Sequence, residues 1–219
     1  MLLGVFLFRG PFLVLDLQLS DPAALWFDGF MCLGFCVQHS VMVRPSFRQR
    51  LESVVPIHYH GAVYAIASGV ALTLMLVLWQ GAIPDLARLD GFARRVAPAV
   101  AVLASLGMVW GVVALGSFAP FGVRPLLTEF SGREPADMPL QIRGPYRWVR
   151  HPLYACVLLL LWSCSDLSAD RLLLNIVWSV WVVLASMLEE RDLVRRFGTP
   201  YLEYQRKVPM LIPWHIPRL

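Results

Sequence analysis

A chain of 219 residues with a mean hydropathy of +0.61, 58% hydrophobic residues and only 16% charged ones is not an ordinary soluble domain, in which roughly a quarter of residues are charged. The net charge of +4 and isoelectric point near 9.1 suit nucleic-acid binding in principle, but the arginines sit beside apolar segments, where they set membrane topology instead. Composition therefore predicts an all-α integral membrane protein, a single membrane domain over residues 1–219. About five transmembrane helices are expected, including a short C-terminal helical hairpin, followed by a cytoplasmic amphipathic tail.

Met1 to Leu19 is apolar but interrupted by Arg9, Pro11 and Asp16. It reads as a first span, an interfacial helix or a leader. The span is preferred, because Ser20 to Ala24 makes a poor cleavage site. Ala24 to Val43 is apolar with Gln38, His39 and Ser40 near its end, and a basic loop from Arg44 to Arg50 follows. Ala62 to Trp79 and Val96 to Phe118 are clean spans, separated by a polar loop holding Arg88, Arg94 and Arg95. The longest polar region runs from Ala119 to Arg150. Leu153 to Leu167 and Leu172 to Leu188 are apolar, joined by a tight polar turn from Ser168 to Arg171, and the tail from Glu189 is polar.

Alternating these segments across a bilayer puts fourteen Lys and Arg on one side and four on the other. That asymmetry places residues 44–61, 119–152 and 189–219 in the cytoplasm. The segment from Leu153 to Leu167 barely spans a bilayer. The four cysteines, Cys32, Cys36, Cys156 and Cys164, lie within apolar segments and read as unpaired thiols. His58 and His60 lack a third ligand nearby, so no metal site is expected. Neither a P-loop nor a GxGxxG is present, which leaves a soluble dinucleotide site unsupported.

The densest chemistry lies in Gly144-Pro145-Tyr146-Arg147-Trp148-Val149-Arg150-His151-Pro152-Leu153-Tyr154. Proline favours the first helical turn, so His151 sits at a helix N-cap with Arg150 just outside. Free backbone N–H groups there attract an anion, and an arginine beside them holds a carboxylate. A hairpin between this cluster and Glu189-Glu190 brings His151 and the acids to one side of the membrane. Adjacent carboxylates point about 100° apart on a helix, so at most one of the two faces the core. A cationic N-cap pocket opposite a carboxylate matches a zwitterionic nucleoside. Snorkelling side chains and a solvated helix end are the plainer readings of the two halves. Tyr201 to Pro209 reads as a short amphipathic helix begun at Pro200 and stopped at Pro209.

On these residues the chain resembles the integral-membrane methyltransferases that include isoprenylcysteine carboxyl methyltransferase. That pattern is G-P-Y-x-x-x-R-H-P-x-Y, a hairpin, E-E, F-G-x-x-Y-x-x-Y, V-P and I-P. It is matched here by Gly144 to Tyr154, Glu189-Glu190, Phe197-Gly198, Tyr201, Tyr204, Val208-Pro209 and Ile212-Pro213. Gln38 to Phe47, Tyr64, Leu78-Trp79-Gln80 and Phe121 to Arg124 look like methanethiol S-methyltransferase, and equally like the related NnrU-like membrane proteins found with denitrification genes. The chain departs from the pattern where an Asn-His-Phe-Asp-Leu-Phe-Gly stretch reads Gly116-Ser117-Phe118-Ala119-Pro120-Phe121-Gly122, which lacks the His and Asp.

The resemblance implies S-adenosylmethionine as cofactor, in a pocket of Tyr146, Arg150, His151, Tyr154, Glu189, Glu190, Tyr201 and Tyr204. His151 would meet the methionyl carboxylate, and Glu189 or Glu190 the ribose or amine. The implied reaction is in-line methyl transfer to a small or lipophilic thiol, or to a prenylcysteine-type carboxylate. Arg150 would stabilise a thiolate, or His39 would accept the thiol proton. The expected setting is the bacterial inner membrane, with the cofactor entering from the cytoplasm and an apolar substrate from lipid. Two alternatives remain: an NADPH-dependent membrane reductase of the sterol-reductase type, and a non-catalytic accessory membrane protein of denitrification.

Overall fold

The structure is a computed structural model, and it describes residues 2–81, 85–115 and 140–214. The departure at 116–122 lies outside the described residues, as do Arg124 and Arg133. Two compact units are present. The first holds 2–81, 85–90 and 164–178, and the second holds 91–115, 140–163 and 179–214.

The first unit begins with helix α1 (Leu2–Arg9). Eight residues rise about 12 Å, well short of a bilayer, so the span expected over Met1 to Leu19 is not formed. The helix ends because Gly10 adopts a φ of +84° and Pro11 follows. Helix α2 (Asp21–Val43) opens with Pro22 in its first turn. Arg44, extended ahead of Pro45, closes it and starts helix α3 (Pro45–Leu51). Helix α4 (His60–Leu78) follows.

Polar ties fasten this unit. Asp28 is fully buried in α2, and its carboxylate accepts the backbone N–H groups of Gln80 (2.8 Å) and Gly81 (3.0 Å) just past the end of α4. The Gln80 side chain accepts the Leu17 N–H at 2.8 Å and donates to the Leu15 carbonyl at 2.9 Å. The indole of the buried Trp79 donates to Asp170 at 3.0 Å, and the Arg171 guanidinium donates to the Leu7 carbonyl. Trp79-Gln80 is therefore a fastening: the buried Asp28 carboxylate and the Trp79 indole each have a partner, as burial in an apolar medium demands.

Strand β1 (Asp85–Arg88) pairs antiparallel with β2 (Asp166–Ser168), Asp85 facing Ser168 and Arg88 facing Asp166. The tight turn expected over Ser168 to Arg171 is thus replaced. Ser168 ends a strand, and Ala169 opens helix α7 (Ala169–Phe197). The apolar run expected from Leu153 to Leu167 is also shorter than its composition suggests. Helix α6 covers Pro152–Trp162, about 16 Å, and stops at Ser163, whose hydroxyl turns back onto the Leu160 carbonyl.

The second unit holds helix α5 (Gly91–Ala114), α6, the C-terminal part of α7 and helix α8 (Thr199–Lys207). The backbones of α5 and α6 approach closely at two glycines. A Cβ on Gly107 would lie 2.8 Å from the Cys156 sulfur, and one on Gly111 would lie 2.7 Å from a Leu153 methyl. Small residues one turn apart, Gly107-Met-Val-Trp-Gly111, let helices meet without the hydrophobic effect that drives packing in water. The outer face of α5 is exposed and apolar, with Leu103, Leu106, Val109 and Val113 all more than half accessible. Such a face is tolerated where the surrounding medium is hydrocarbon. Among the described residues, three helices are long and apolar enough to cross a membrane (α4 with its preceding turn, α5 and α7), and α6 is a shorter apolar helix. The chain is an all-α integral membrane protein.

Candidate functional site

Local sequence builds the site in the second unit. Gly144 takes a φ of +53°, a region that favours glycine, and a Cβ there would press within 2.9 Å of the Ala114 side chain. It opens a short 3-10 turn, Gly144–Arg147, with Pro145 inside its start. His151 precedes a proline and is held out of the helical region at φ −124°, ψ 65°. It is the N-cap of α6, and Pro152 is the first helical residue. Gly198, at φ 61° and ψ −134°, makes the sharp joint between α7 and α8.

The tail then docks against the Arg150-His151 backbone. The Arg150 N–H donates to the Pro209 carbonyl at 2.9 Å, and the His151 N–H donates to the Met210 carbonyl at 3.0 Å. This explains the V-P element: Val208 is buried, and its carbonyl accepts from the Arg150 guanidinium.

At the centre is Glu190. Its Oε1 accepts from Arg150 Nε at 2.6 Å and from His151 Nε2 at 3.2 Å, and its Oε2 accepts from the Gln205 amide at 2.9 Å. A carboxylate accepts only, so His151 carries its proton on Nε2 here. Arg150 also donates to the Gln205 carbonyl at 3.0 Å. The Arg150 and Glu190 side chains are 11% and 12% exposed, so the pair is largely withdrawn from water. Glu189 is different: it is 48% exposed and lies 3.8 Å from His151 Nδ1.

Tyrosines wall the cluster. Tyr154 stacks on the His151 ring at 5.6 Å. Tyr201 and Tyr204 meet edge to face and pack with Val208, Leu193 and Phe197. The Tyr204 hydroxyl donates to the Tyr146 carbonyl at 2.5 Å. Burial pushes the phenols of Tyr146, Tyr201 and Tyr204 above their ordinary values, and nearby carboxylates add to this for Tyr146 (Glu189) and Tyr201 (Glu190). They are neutral hydrogen-bonding groups at physiological pH.

The structure thus brings together Tyr146, Arg150, His151, Tyr154, Glu189, Glu190, Tyr201 and Tyr204. His39 belongs to the first unit, where its ring meets the Tyr64 hydroxyl at 2.7 Å and packs against Phe35. Sequence reasoning missed Gln205. Its signal was a lone polar residue on the helix face marked by Tyr201, Tyr204 and Val208, four residues after Tyr201.

An apolar cavity of about 520 Å³ adjoins these segments. Trp110, Trp148 and Trp162 line it, with Val149 and Pro152 on either side of the Arg150-His151 pair in the chain. Ile212-Pro213, the I-P element, closes part of it.

Comparison with known proteins places the chain. The family model described as NnrU protein matches residues 30–191. Methanethiol S-methyltransferase from Pseudomonas deceptionensis is 35% identical over 89% of this chain and 74% of its own length. The protein of that name from Mycobacterium tuberculosis is 32% identical over 82% of this chain and 74% of its own length. Nurim from Rattus norvegicus is 26% identical over 88% and 75%. No solved structure matches. With the family model covering most of the chain and relatives above 30% identity aligned along three quarters of their length, this chain is a member of the NnrU family of membrane proteins.

Proposed function

We propose that this chain is an S-adenosylmethionine-dependent methyltransferase that methylates a thiol at the membrane, with its cofactor side facing the cytoplasm of a bacterial inner membrane. One observation carries the reading: the buried Arg150–Glu190–His151 cluster at the N-terminus of α6, with Glu189 half exposed beside it. The relatives named for thiol methylation support the class of reaction.

The residues fit the cofactor's chemistry. The N-terminus of α6 carries the positive end of the helix dipole, and His151 lies there as its N-cap. That end suits a carboxylate. Glu189 suits an ammonium or ribose hydroxyl, since it is accessible and its neighbour is not. Glu190 has both oxygens engaged by Arg150, His151 and Gln205, so it orients the pocket. Arg150 is likewise held by Glu190 and two tail carbonyls, which makes it a positioning residue.

When bound, the cofactor supplies an electrophilic methyl group on a sulfonium. Transfer would form a carbon–sulfur bond to the acceptor, break the one to the donor and leave the donor as a neutral thioether. The acceptor's charge and the sulfonium's charge both vanish, so a dry pocket favours the transition state over the separated ions. The chain's part is alignment and exclusion of water by Tyr154, Tyr201 and Tyr204. A thiol, with a pKa of about 8.5 for a cysteine-like group, must lose its proton.

Calorimetric titration of the purified chain with S-adenosylhomocysteine tests the assignment. The expected result is micromolar binding that His151→Ala abolishes while helicity is kept. Binding of NADPH in its place would overturn it, as would unchanged affinity in His151→Ala.

A further inference from the structure

From the cavity beside the site we infer that the preferred acceptor is a thiol carrying a large apolar body, on the order of eight carbons or an aryl ring, in place of methanethiol. The inference rests on the methyl-transfer reading above. Methanethiol has one carbon and one sulfur, a volume of only a few waters at about 30 Å³ each. The cavity is about 520 Å³, a volume within the roughly 300–1,000 Å³ typical of drug-sized ligand sites, and it is open on one side, with Trp148 and Trp162 in its wall about half exposed. Its walls are indole, aliphatic and proline surface, with the Cys156 thiol among them. A two-atom ligand would leave most of that surface uncovered and gain few contacts.

Its position argues for the acceptor as occupant. Val149 and Pro152 line the cavity and bracket Arg150 and His151. Leu211 lines it and follows Met210, whose carbonyl holds the His151 N–H. The wall of the cavity and the frame of the ionic cluster are the same two pieces of chain. A thiol with its body in the cavity would carry its sulfur at that boundary. The step balances as written above: the thiol proton leaves, the sulfur takes the methyl group, and the donor leaves as a thioether.

The test uses the whole chain in lipid nanodiscs with labelled S-adenosylmethionine and methane-, butane-, octane- and dodecanethiol. Each added methylene is expected to raise kcat/KM, referred to free aqueous thiol, by about 4-fold, levelling off beyond about eight carbons. Ala155→Trp, which fills the cavity, should lower the octanethiol-to-methanethiol ratio at least tenfold with S-adenosylhomocysteine affinity retained. Should that variant misfold, Ile212→Trp, at a position 69% exposed, serves the same purpose. In parallel, octyl methyl sulfide should quench tryptophan fluorescence in the wild type and not in the filled variant. A flat length dependence with intact S-adenosylhomocysteine binding, or equal loss for both thiols in the filled variants, overturns this inference alone. Absence of S-adenosylhomocysteine binding removes the methyl-transfer reading and this inference with it.

Discussion

Arg150 Nε lies 2.6 Å from Glu190 Oε1, joining the loop before α6 to a turn near the end of α7 across 40 residues of sequence. Both side chains are largely withdrawn from water, and the rest of the cluster is arranged about them. Removing one partner leaves a buried charge without compensation, which typically costs about 3–5 kcal/mol. Glu190→Gln is therefore expected to lower the melting temperature sharply and to abolish S-adenosylhomocysteine binding. The double variant Arg150→Met with Glu190→Leu should recover much of the stability and none of the binding. Full stability in Glu190→Gln, measured by thermal denaturation in detergent, would show that the pair does not hold the site together.

Glu189 should behave in the opposite way to its neighbour. It is half exposed and lies 3.8 Å from the other ring nitrogen of His151. Glu189→Gln is expected to leave the unfolding free energy within about 0.5 kcal/mol of wild type, as surface changes usually do. Cofactor affinity should drop about tenfold, in keeping with one lost charge-assisted hydrogen bond. Calorimetry on this variant beside Glu190→Gln separates ligand contact from scaffolding.

The α5–α6 contact makes a compensable prediction. Gly107→Ala puts a methyl 2.8 Å from the Cys156 sulfur, an overpacking that costs about 1–3 kcal/mol. Cys156→Ala removes the obstructing atom, so the double variant should melt close to Cys156→Ala alone. Independent, additive losses would mean that the two helices do not meet at this point.

Alkali should loosen the tail. The phenols of Tyr146, Tyr201 and Tyr204 have folded pKa values raised above the ordinary value of about 10 by burial. The folded state therefore holds these protons after the unfolded chain has begun to release them. The stability they contribute is complete below pH about 10 and is lost as pH rises through the interval above it. Tyr204→Phe leaves the Tyr146 carbonyl without its donor, and should cost about 1 kcal/mol at neutral pH. Its melting temperature should then fall less steeply than wild type above pH 10. Parallel pH profiles would contradict the buried placement of that hydroxyl.

The apolar runs alone determined that this chain crosses a membrane, because uninterrupted hydrocarbon side chains over about 20 residues have no other favourable environment. Proline and glycine placement also fixed local geometry in advance: Pro152 at the first turn of α6 and Gly198 at the joint before α8 permit few other conformations. Length was less legible. Residues 1–19 and 153–167 are apolar enough to suggest spans, yet Gly10 ends α1 and Ser163 ends α6, since a single backbone or hydroxyl interruption outweighs composition over so short a stretch. The motif named Arg150, His151, Glu189 and Glu190 but not Gln205; which groups each one bonds was decided by tertiary structure. Glu189 and Glu190 are equivalent in sequence, and helical geometry requires only that they face apart. The docking of α8 and the tail against Arg150 and His151 turned Glu190 inward, bonded it to Gln205, and left Glu189 accessible. The cavity of three indoles likewise has no linear signature, because Trp110, Trp148 and Trp162 meet only when α5 and α6 pack through their glycines.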